Sequence, residues 1–213
     1  RQEVKMREII QASIVPVINL ESAYYHPCQA LADAATIHEH FSGQQKKKRF
    51  VLAWAHHPKP LPMAVPNSAL LQAVRQGMDV VVARPESHAL DPVIMDLATQ
   101  TAEKSGSSLQ VTEDLDGAME GAAVIYAKAW GGPMVYHEPK KEATNRLAYA
   151  EWQITAERMR KTDNGVFMHC LPVRRDVVVA SEVLESAQAL HLRQAHFRLF
   201  AQKAILEAIW GLF

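Results

Sequence analysis

The sequence contains few of the features that mark secreted or membrane proteins. It has only two cysteines in 213 residues, Cys28 and Cys170, which lie far apart. Without a signal peptide, such sparse cysteine indicates reduced thiols in a cytoplasmic protein rather than a disulfide scaffold. No apolar run approaches the ~20 residues that a membrane-spanning helix requires. We therefore expect a cytoplasmic globular protein with no membrane partner.

The sequence also lacks an excess of charge of either sign. Its 23 Lys and Arg residues balance 23 Asp and Glu residues, and charged residues make up only 22% of the chain. A neutral protein generates no general attraction for nucleic acid, so no nucleic-acid partner is expected. The single basic run, residues 46–49, lies between Gly43 and an apolar segment and is interpreted as a solvated turn.

Motifs for common cofactors are missing as well. No G-x-G-x-x-G follows a strand and opens a helix, and there is no P-loop, so the two glycines after Trp130 are interpreted as a turn. The nearest histidine pairs, His38 with His40 and His56 with His57, lack the spacing and partners of a zinc site. We expect neither a cofactor nor a metal.

Hydrophobic spacing predicts an alternation of strands and helices from residue 50 onwards. The predicted strands are 50–55, 78–83, 109–111, 122–127 and 167–169, and the helices between them are 67–76, 91–104, 114–120 and 155–161. Before this region we predict a helix at 4–12, a strand at 14–20 and a helix at 30–41. After it we predict a short helix at 181–184, a final strand at 189–192 and a helix at 195–210.

This alternation indicates an α/β fold, a doubly wound parallel sheet with helices on both faces. The sheet domain is expected to span residues 43–192. Residues 1–42 and 193–213 are interpreted as a partial second α/β domain, made of the N-terminal strand and helix and the C-terminal helix.

The apolar run that begins at Phe167 ends at His169 and Cys170, and Pro172 prevents a simple helical continuation. Arg174 and Arg175 follow at once. Open α/β sheets bind ligands at strand ends, and an arginine fork pairs with carboxylate or phosphate, so an anionic ligand is one interpretation. The alternative is a core strand followed by a solvated arginine pair.

A nucleophilic pair of Cys170 and His169 is disfavoured, because neighbouring residues of a strand point to opposite faces. Other polar residues share the position at strand ends and helix starts. These candidates are Glu21, His26, Gln29, His57, Lys59, Asn67, Lys128, Arg174, Arg175 and Arg198.

Two motifs in this set resemble a known family. Residues 26–33, His-Pro-Cys-Gln-Ala-Leu-Ala-Asp, resemble the H-P-x-Q-x-L-x-D carbamoyl-phosphate signature of the aspartate/ornithine transcarbamylase family. Residues 169–172, His-Cys-Leu-Pro, resemble the H-C-L-P of its ornithine branch. The two motifs occur in the family's order and are well separated, and the similarity covers essentially the whole chain.

Residues 50–60 and 126–131 resemble the branch of this family that acts on N-acylated ornithine. The aspartate and S-M-G loop with which ordinary ornithine enzymes recognise a free α-amino group are not evident here. An acylated nitrogen carries no charge for an aspartate, whereas the α-carboxylate still requires a cation, a role that suits Lys128.

The resemblance implies transfer of a carbamoyl group from carbamoyl phosphate to the δ-amine of N-acetyl-L-ornithine, in arginine biosynthesis. His26 is implied as the donor to the carbamoyl oxygen and Gln29 as the partner of the carbamoyl amide. The backbone carbonyls of Cys170 and Leu171 are implied as acceptors from that amide, and Arg198 as a contact of the carbamoyl oxygen or phosphate.

The remaining implied binding residues follow from the same motifs. Pro27 and Cys28 belong to the carbamoyl-phosphate stretch. Glu21 and Lys128 would hold the acylated ornithine, with Leu171 also lining that site. The family's shared active sites imply a homotrimer.

The sequence departs from the family pattern in three places. The family motif E-A-x-N-R reads Gln-Ala-His-Phe-Arg at 194–198, so we expect Arg198 to lack its polar supporting neighbours. Acetylornithine enzymes can carry a lysine shortly after the two arginines, whereas this chain has Val178, and succinylornithine relatives likewise have an apolar residue. The S-T-R-T phosphate loop would lie upstream of Arg1, so this chain alone is expected to be nearly inactive.

The resemblance divides the chain into a remnant of the carbamoyl-phosphate domain with a bridging helix at 1–42, an acylornithine domain at 43–192, and a returning helix at 193–213. Three alternatives stay open. They are an N-succinylornithine enzyme, a non-catalytic acylornithine-binding module, and an unrelated Rossmann-like oxidoreductase, which the missing glycines disfavour.

Overall fold

A five-stranded parallel sheet forms the centre of the molecule, as shown by a computed structural model that describes residues 2–211. Its strands are β1 (Arg49–Trp54), β2 (Asp79–Ala83), β3 (Leu109–Thr112), β4 (Val124–Lys128) and β5 (Val166–Met168). Their order across the sheet is β3-β2-β1-β4-β5. Strands β1, β2, β4 and β5 are apolar and almost fully buried, as expected for parallel strands covered on both faces.

The helices between successive strands include α3 (Ala64–Arg75), α4 (Pro92–Ser105), α5 (Leu115–Met119) and α7 (Ala156–Arg160). Helix α3 packs against α4, and α5 packs against α7, while both α3 and α5 contact β1 and β2. The chain moves outward from β1 to β3 and then returns to β4. Because crossover connections are right-handed, this reversal places the two helix pairs on opposite faces of the sheet.

The other helices are α1 (Gln2–Ala12), α2 (Pro27–His40), α6 (Pro139–Leu147), α8 (Ser181–Leu184) and α9 (His191–Ile209), and 3₁₀ turns span Glu86–His88 and Pro133–Tyr136. Helix α2 packs against α9 and α3, and α9 also contacts β5. Arg193 of α9 and Glu39 of α2 form a bidentate ion pair on their outer side. The two ends of the chain are thereby joined beside the sheet.

The predicted doubly wound α/β architecture is confirmed, and all five predicted central strands are present. The strand predicted at residues 14–20 is wrong. Ile14 and Val15 are exposed, and no segment between residues 2 and 211 pairs with this stretch. A β-branched sequence cannot form a strand without a neighbour that satisfies its backbone N–H and C=O groups.

The final strand predicted at 189–192 is also wrong. Ala189 makes only an isolated bridge to Phe167, and the chain enters α9 at His191, four residues before the predicted start of that helix. Helix α6 and the Pro133–Tyr136 turn occupy a polar stretch for which no element was predicted. Arg1, Leu212 and Phe213, which the predicted domain ranges include, lie outside the described residues.

None of the helices within residues 2–211 combines the length and the apolar character that crossing a bilayer requires.

Candidate active site

The reversal of strand order lies between β1 and β4, where Trp54 and Lys128 are paired at the carboxyl ends of the two strands. In open α/β sheets the crevice at such a reversal is the usual ligand site, because the connections on its two sides diverge. Lys128 is 8% exposed there. A cation so withdrawn from water is well placed to meet an anionic group.

The turn after β5 lies next to Lys128. Burial, followed by the charge of Lys128, lowers the pKa of His169 to about 3, so this imidazole is neutral. Its Nδ1 accepts the backbone N–H of Leu171 at 3.0 Å. Burial raises the pKa of the Cys170 thiol, against a lowering effect of Lys128. An imidazole with so low a pKa is too weak a base to ionise a thiol whose pKa is raised, so this pair is unsuited to nucleophilic catalysis.

Leu171 adopts a left-handed backbone conformation with φ of 56°. This conformation costs a non-glycine residue about 1–2 kcal/mol, and such strain is concentrated at functional sites. Among residues 2–211, the carbonyls of Cys170 and Leu171 accept no hydrogen bond. The turn therefore presents two free acceptors beside Lys128.

His26 precedes the first turn of α2, and its backbone N–H donates to Ser68 Oγ at 2.8 Å. Asn67 Nδ2 donates to the Tyr24 carbonyl at 3.2 Å, so the start of α3 holds this segment in place. Burial, then the charge of Arg198, lowers the pKa of His26, and Lys128 acts in the same direction. His26 Nδ1 is buried and has no partner among the described residues. The ring is thus a neutral hydrogen-bonding group facing two cations.

Gln29 and Arg198 connect α2 to α9. Arg198 Nη1 donates to Gln29 Oε1 at 2.7 Å, and Gln29 Nε2 donates to Asp33 Oδ1 at 2.7 Å. Gln29 is 1% exposed. Because a guanidinium only donates and an ionised carboxylate only accepts, these two partners determine the orientation of the amide.

Gln194 of α9 extends this network to the turn after β5. Its Nε2 donates to Asp33 Oδ1 at 2.6 Å and to the Tyr126 hydroxyl at 3.2 Å. Its Oε1 accepts the backbone N–H of His169 at 2.9 Å. A continuous chain of hydrogen bonds therefore joins Arg198 and Gln29 to the turn that carries the two free carbonyls.

A buried cluster supports the end of β4 from the other side. Trp54 Nε1 and Arg146 Nη2 donate to the Trp130 carbonyl at 2.9 and 3.1 Å. Trp130 Nε1 in turn donates to the His88 carbonyl at 2.8 Å. Arg146 lies over the Trp54 ring, with 5.5 Å from the guanidinium carbon to the ring centroid. The segment that follows Lys128 is thus held rigidly.

Glu142 carries the negative charge of this buried cluster. It pairs with Arg146, and its Oε1 lies 3.4 Å from His88 Nε2. Burial, then the charge of Arg146, lowers the pKa of His88 to about 4. Gly132 approaches the Ser87 carbonyl so closely that a β-carbon would overlap it, which explains the glycine.

The structure brings six of the predicted site residues close together at the carboxyl ends of β1, β4 and β5: His26, Gln29, Lys128, Cys170, Leu171 and Arg198. The others are less central. Glu21 is exposed but close enough for its charge to raise the pKa of His26 against burial and Arg198. Pro27 is exposed, whereas Cys28 is buried with its thiol 3.7 Å from the Asn19 carbonyl.

Of the further polar candidates, some lie near these residues and others lie on the surface or hold the backbone. Burial lowers the pKa of His57 against a hydrogen bond to the Lys59 carbonyl, and the charges of Arg174 and Lys128 lower it further, so His57 lies near these two cations. Arg175 is exposed and pairs with Glu185 on the surface, and Lys59 is exposed. Asn67 is buried and holds the backbone at Tyr24.

Sequence reasoning missed Asp33 and Gln194. Asp33 stood inside the quoted motif without an assigned role. The expectation that Arg198 lacks polar support is wrong, because Arg198 donates to Gln29, which Asp33 links to the fully buried Gln194. The available signal was the i, i+4 spacing of Gln29 with Asp33 and of Gln194 with Arg198, which places each pair on one helix face.

Comparison with known proteins gives two family matches. The Asp/Orn-binding domain of aspartate/ornithine carbamoyltransferase matches residues 63–209, and the carbamoyl-P binding domain matches residues 1–39. The boundaries predicted at 42 and 192 stay a prediction.

Individual relatives agree with the family matches. The chain is 43% identical to an N-acetylornithine carbamoyltransferase of Xanthomonas axonopodis pv. citri, over 98% of this chain and 61% of the relative. It is 34% identical to an N-succinylornithine carbamoyltransferase of Bacteroides fragilis, over 97% of this chain and 60% of the relative. It thus spans about three fifths of the length of these relatives.

A solved acetylornithine transcarbamylase complexed with acetylcitrulline superimposes on the structure with a TM-score of 0.93. The two are 42% identical over 97% of this chain and 62% of that one. Since one family match alone covers more than half of the sequence, the chain belongs to the aspartate/ornithine carbamoyltransferase family.

Proposed function

We propose that this chain is the greater part of a carbamoyltransferase that converts carbamoyl phosphate and N-acetyl-L-ornithine into N-acetyl-L-citrulline and phosphate, in arginine biosynthesis. The main support is the network that joins Gln29 and Arg198 to the turn at Cys170 and Leu171, beside Lys128. In this network neutral, cationic and acceptor groups lie close together. Those are the groups that a carbamoyl donor and a carboxylate-bearing acceptor require.

The donor side is assigned as follows. The neutral His26 imidazole donates to the carbamoyl oxygen, and Arg198 contacts that oxygen or the phosphate. Gln29 Oε1 and the carbonyls of Cys170 and Leu171 accept from the carbamoyl NH₂. Preorganised donors at a developing oxyanion are the largest single source of catalysis in such additions.

The acceptor side places the α-carboxylate of acetylornithine on Lys128, with Glu21 at the outer edge of the site. The neutral δ-amine attacks the carbamoyl carbon and forms a C–N bond. Collapse of the oxyanion breaks the C–O bond to phosphate, which departs carrying the proton that the amine loses. No covalent enzyme intermediate is needed, and the protein acts by orienting the two substrates.

N-succinyl-L-ornithine is the alternative substrate. Val178 supports it only by resemblance, because succinylornithine relatives have an apolar residue at this position; here Val178 is buried among apolar neighbours. The higher identity to N-acetylornithine carbamoyltransferases, 43% against 34%, supports the acetyl compound. The homotrimer, the cytoplasmic location and the near inactivity of residues 1–213 alone stay predictions.

The substrate assignment is tested by incubating the gene product in which this chain occurs with carbamoyl phosphate and each of three amines. These are N-acetylornithine, N-succinylornithine and ornithine, and the ureido product is measured by colorimetry and mass spectrometry. We expect the highest kcat/KM with N-acetylornithine. Turnover of ornithine without turnover of either acylated amine would contradict the acylornithine assignment.

A non-catalytic acylornithine-binding module is a second candidate, because the Asp/Orn-binding domain match covers the larger part of the chain, residues 63–209. Titration calorimetry separates the two functions. A carbamoyltransferase should bind the unreactive analogue N-acetyl-L-norvaline more tightly when carbamoyl phosphate is present, since the two ligands share one site. Equal affinity with and without carbamoyl phosphate would favour the module.

Replacing Lys128 by alanine is expected to raise KM for acetylornithine by about tenfold or more, with a smaller effect on kcat, because the substrate carboxylate loses a charge-assisted partner. Steady-state kinetics at saturating carbamoyl phosphate measure this. The matched control is Lys141→Ala, which removes an exposed lysine that pairs with Glu138 on the surface. An unchanged KM in Lys128→Ala would remove Lys128 from the assigned site.

A further inference from the structure

We propose that Gln194 and Asp33 are positioning residues: together they hold Gln29 and the turn at residues 169–171 in the single arrangement in which both contact the carbamoyl group. The inference rests on the proposed carbamoyl transfer. Neither side chain is assigned a substrate contact, so their effect is transmitted through the groups that they hold.

The first part of the argument concerns the Gln29 amide. An amide can present either its oxygen or its NH₂ group, and its neighbours decide which. Here Asp33 accepts from Gln29 Nε2 while Arg198 donates to Gln29 Oε1. The free lone pair of Oε1 therefore stays available to a carbamoyl N–H. A neutral, apolar residue at position 33 would leave the amide free to rotate.

The second part concerns the turn. Gln194 is the only side chain among the described residues that hydrogen-bonds the backbone N–H of His169, at 2.9 Å. The same amide donates to Asp33 at 2.6 Å. One buried side chain thus sets the distance between Gln29 on α2 and the two free carbonyls that follow His169.

Burial makes this arrangement specific. Gln29, Asp33 and Gln194 are 1%, 3% and 0% exposed, so water cannot substitute for a lost partner. Buried polar networks favour one geometry because every alternative leaves a group unpaired. Charged or titratable groups that face Asp33 are Tyr126 of β4, Cys170 of the turn and Arg198 of α9.

Glutamate at position 194 provides a sharp test. Gln194→Glu keeps the acceptor for His169 N–H but replaces the donor to Asp33 with a second carboxylate. Burial already raises the pKa of Asp33 to about 6, against hydrogen bonds from Gln29 and Gln194. Two adjacent carboxylates repel each other when both are ionised, and they share a proton when the pH falls.

We expect Gln194→Glu to lower kcat/KM for carbamoyl phosphate by about 10- to 100-fold at pH 9, because small misplacements of orienting groups are costly. Relative to the wild type at the same pH, the loss should shrink at pH 6.5. The double variant Asp33→Asn with Gln194→Glu has a single carboxylate and restores a donor–acceptor pair. Its kcat/KM for carbamoyl phosphate should recover to within about threefold of the wild-type value, and the additional dependence on pH should disappear.

The matched control is Gln100→Glu, which makes the same change at an exposed position on α4. Thermal unfolding of every variant separates misplacement from loss of folding. Wild-type kinetics in Gln194→Glu, or a deficit that neither low pH nor the added Asp33→Asn change relieves, would overturn the positioning role alone. Absence of carbamoyl-transfer activity in the wild-type protein would overturn the proposed function as well.

Discussion

Replacing Arg198 by methionine is expected to lower kcat/KM for carbamoyl phosphate by about 10²–10³-fold, the usual cost of removing one preorganised oxyanion donor. Arg198 is the cation that contacts Gln29, and its Nε is buried without a partner among the described residues. The variant loses a charge at the donor site and also leaves Gln29 Oε1 unpaired. The measurement is initial rate against carbamoyl phosphate concentration.

A second arginine on the same helix provides the control. Arg193 lies on the outer side of α9, where it pairs with Glu39 and stacks over the Phe197 ring. Arg193→Met should keep kcat/KM within about twofold, because exposed ion pairs contribute little. Equal losses in the two variants would mean that α9 tolerates no change, and would remove the specific role of Arg198.

Replacing Glu142 by alanine is expected to destabilise the fold by about 3–5 kcal/mol, because it leaves Arg146 buried without a counter-charge. Arg146 and Glu142 are 1% and 2% exposed, so solvent cannot screen the remaining cation. The loss should be visible as a lower midpoint in urea unfolding followed by circular dichroism.

Two further variants make this result specific. Glu185→Ala breaks the exposed pair with Arg175 and should change stability by no more than about 0.5 kcal/mol. The double variant Glu142→Leu with Arg146→Met removes both buried charges and should be more stable than Glu142→Ala. A Glu142→Ala protein as stable as the wild type would show that the cluster does not depend on this ion pair.

The periodicity of the sequence was sufficient for the sheet domain, since alternating buried strands and amphipathic helices leave few other arrangements. Periodicity gave wrong predictions where a strand requires a neighbouring strand to pair with. Residues 14–20 have strand composition, yet nothing among the described residues pairs with them. Residues 189–192 have apolar character, but α9 begins inside them at His191.

The candidate site was only partly accessible from the sequence. Motif resemblance identified His26, Gln29, Lys128 and Arg198, because their local sequences are distinctive. Gln194 does depart from the family motif, but the expected loss of polar support was wrong, because Gln194 bonds Asp33 and His169, which lie 161 and 25 positions away in the sequence. Local patterns carry no information about such contacts.

The sequence by itself determined the order and type of the central elements and the residue types available for chemistry, because hydrophobic spacing and short motifs are local properties. Only the tertiary structure decided that α2, α9 and the turn after β5 share one buried polar network beside Lys128. The physical reason is that burial removes water, so hydrogen-bond partners brought together by folding control each group's orientation and charge.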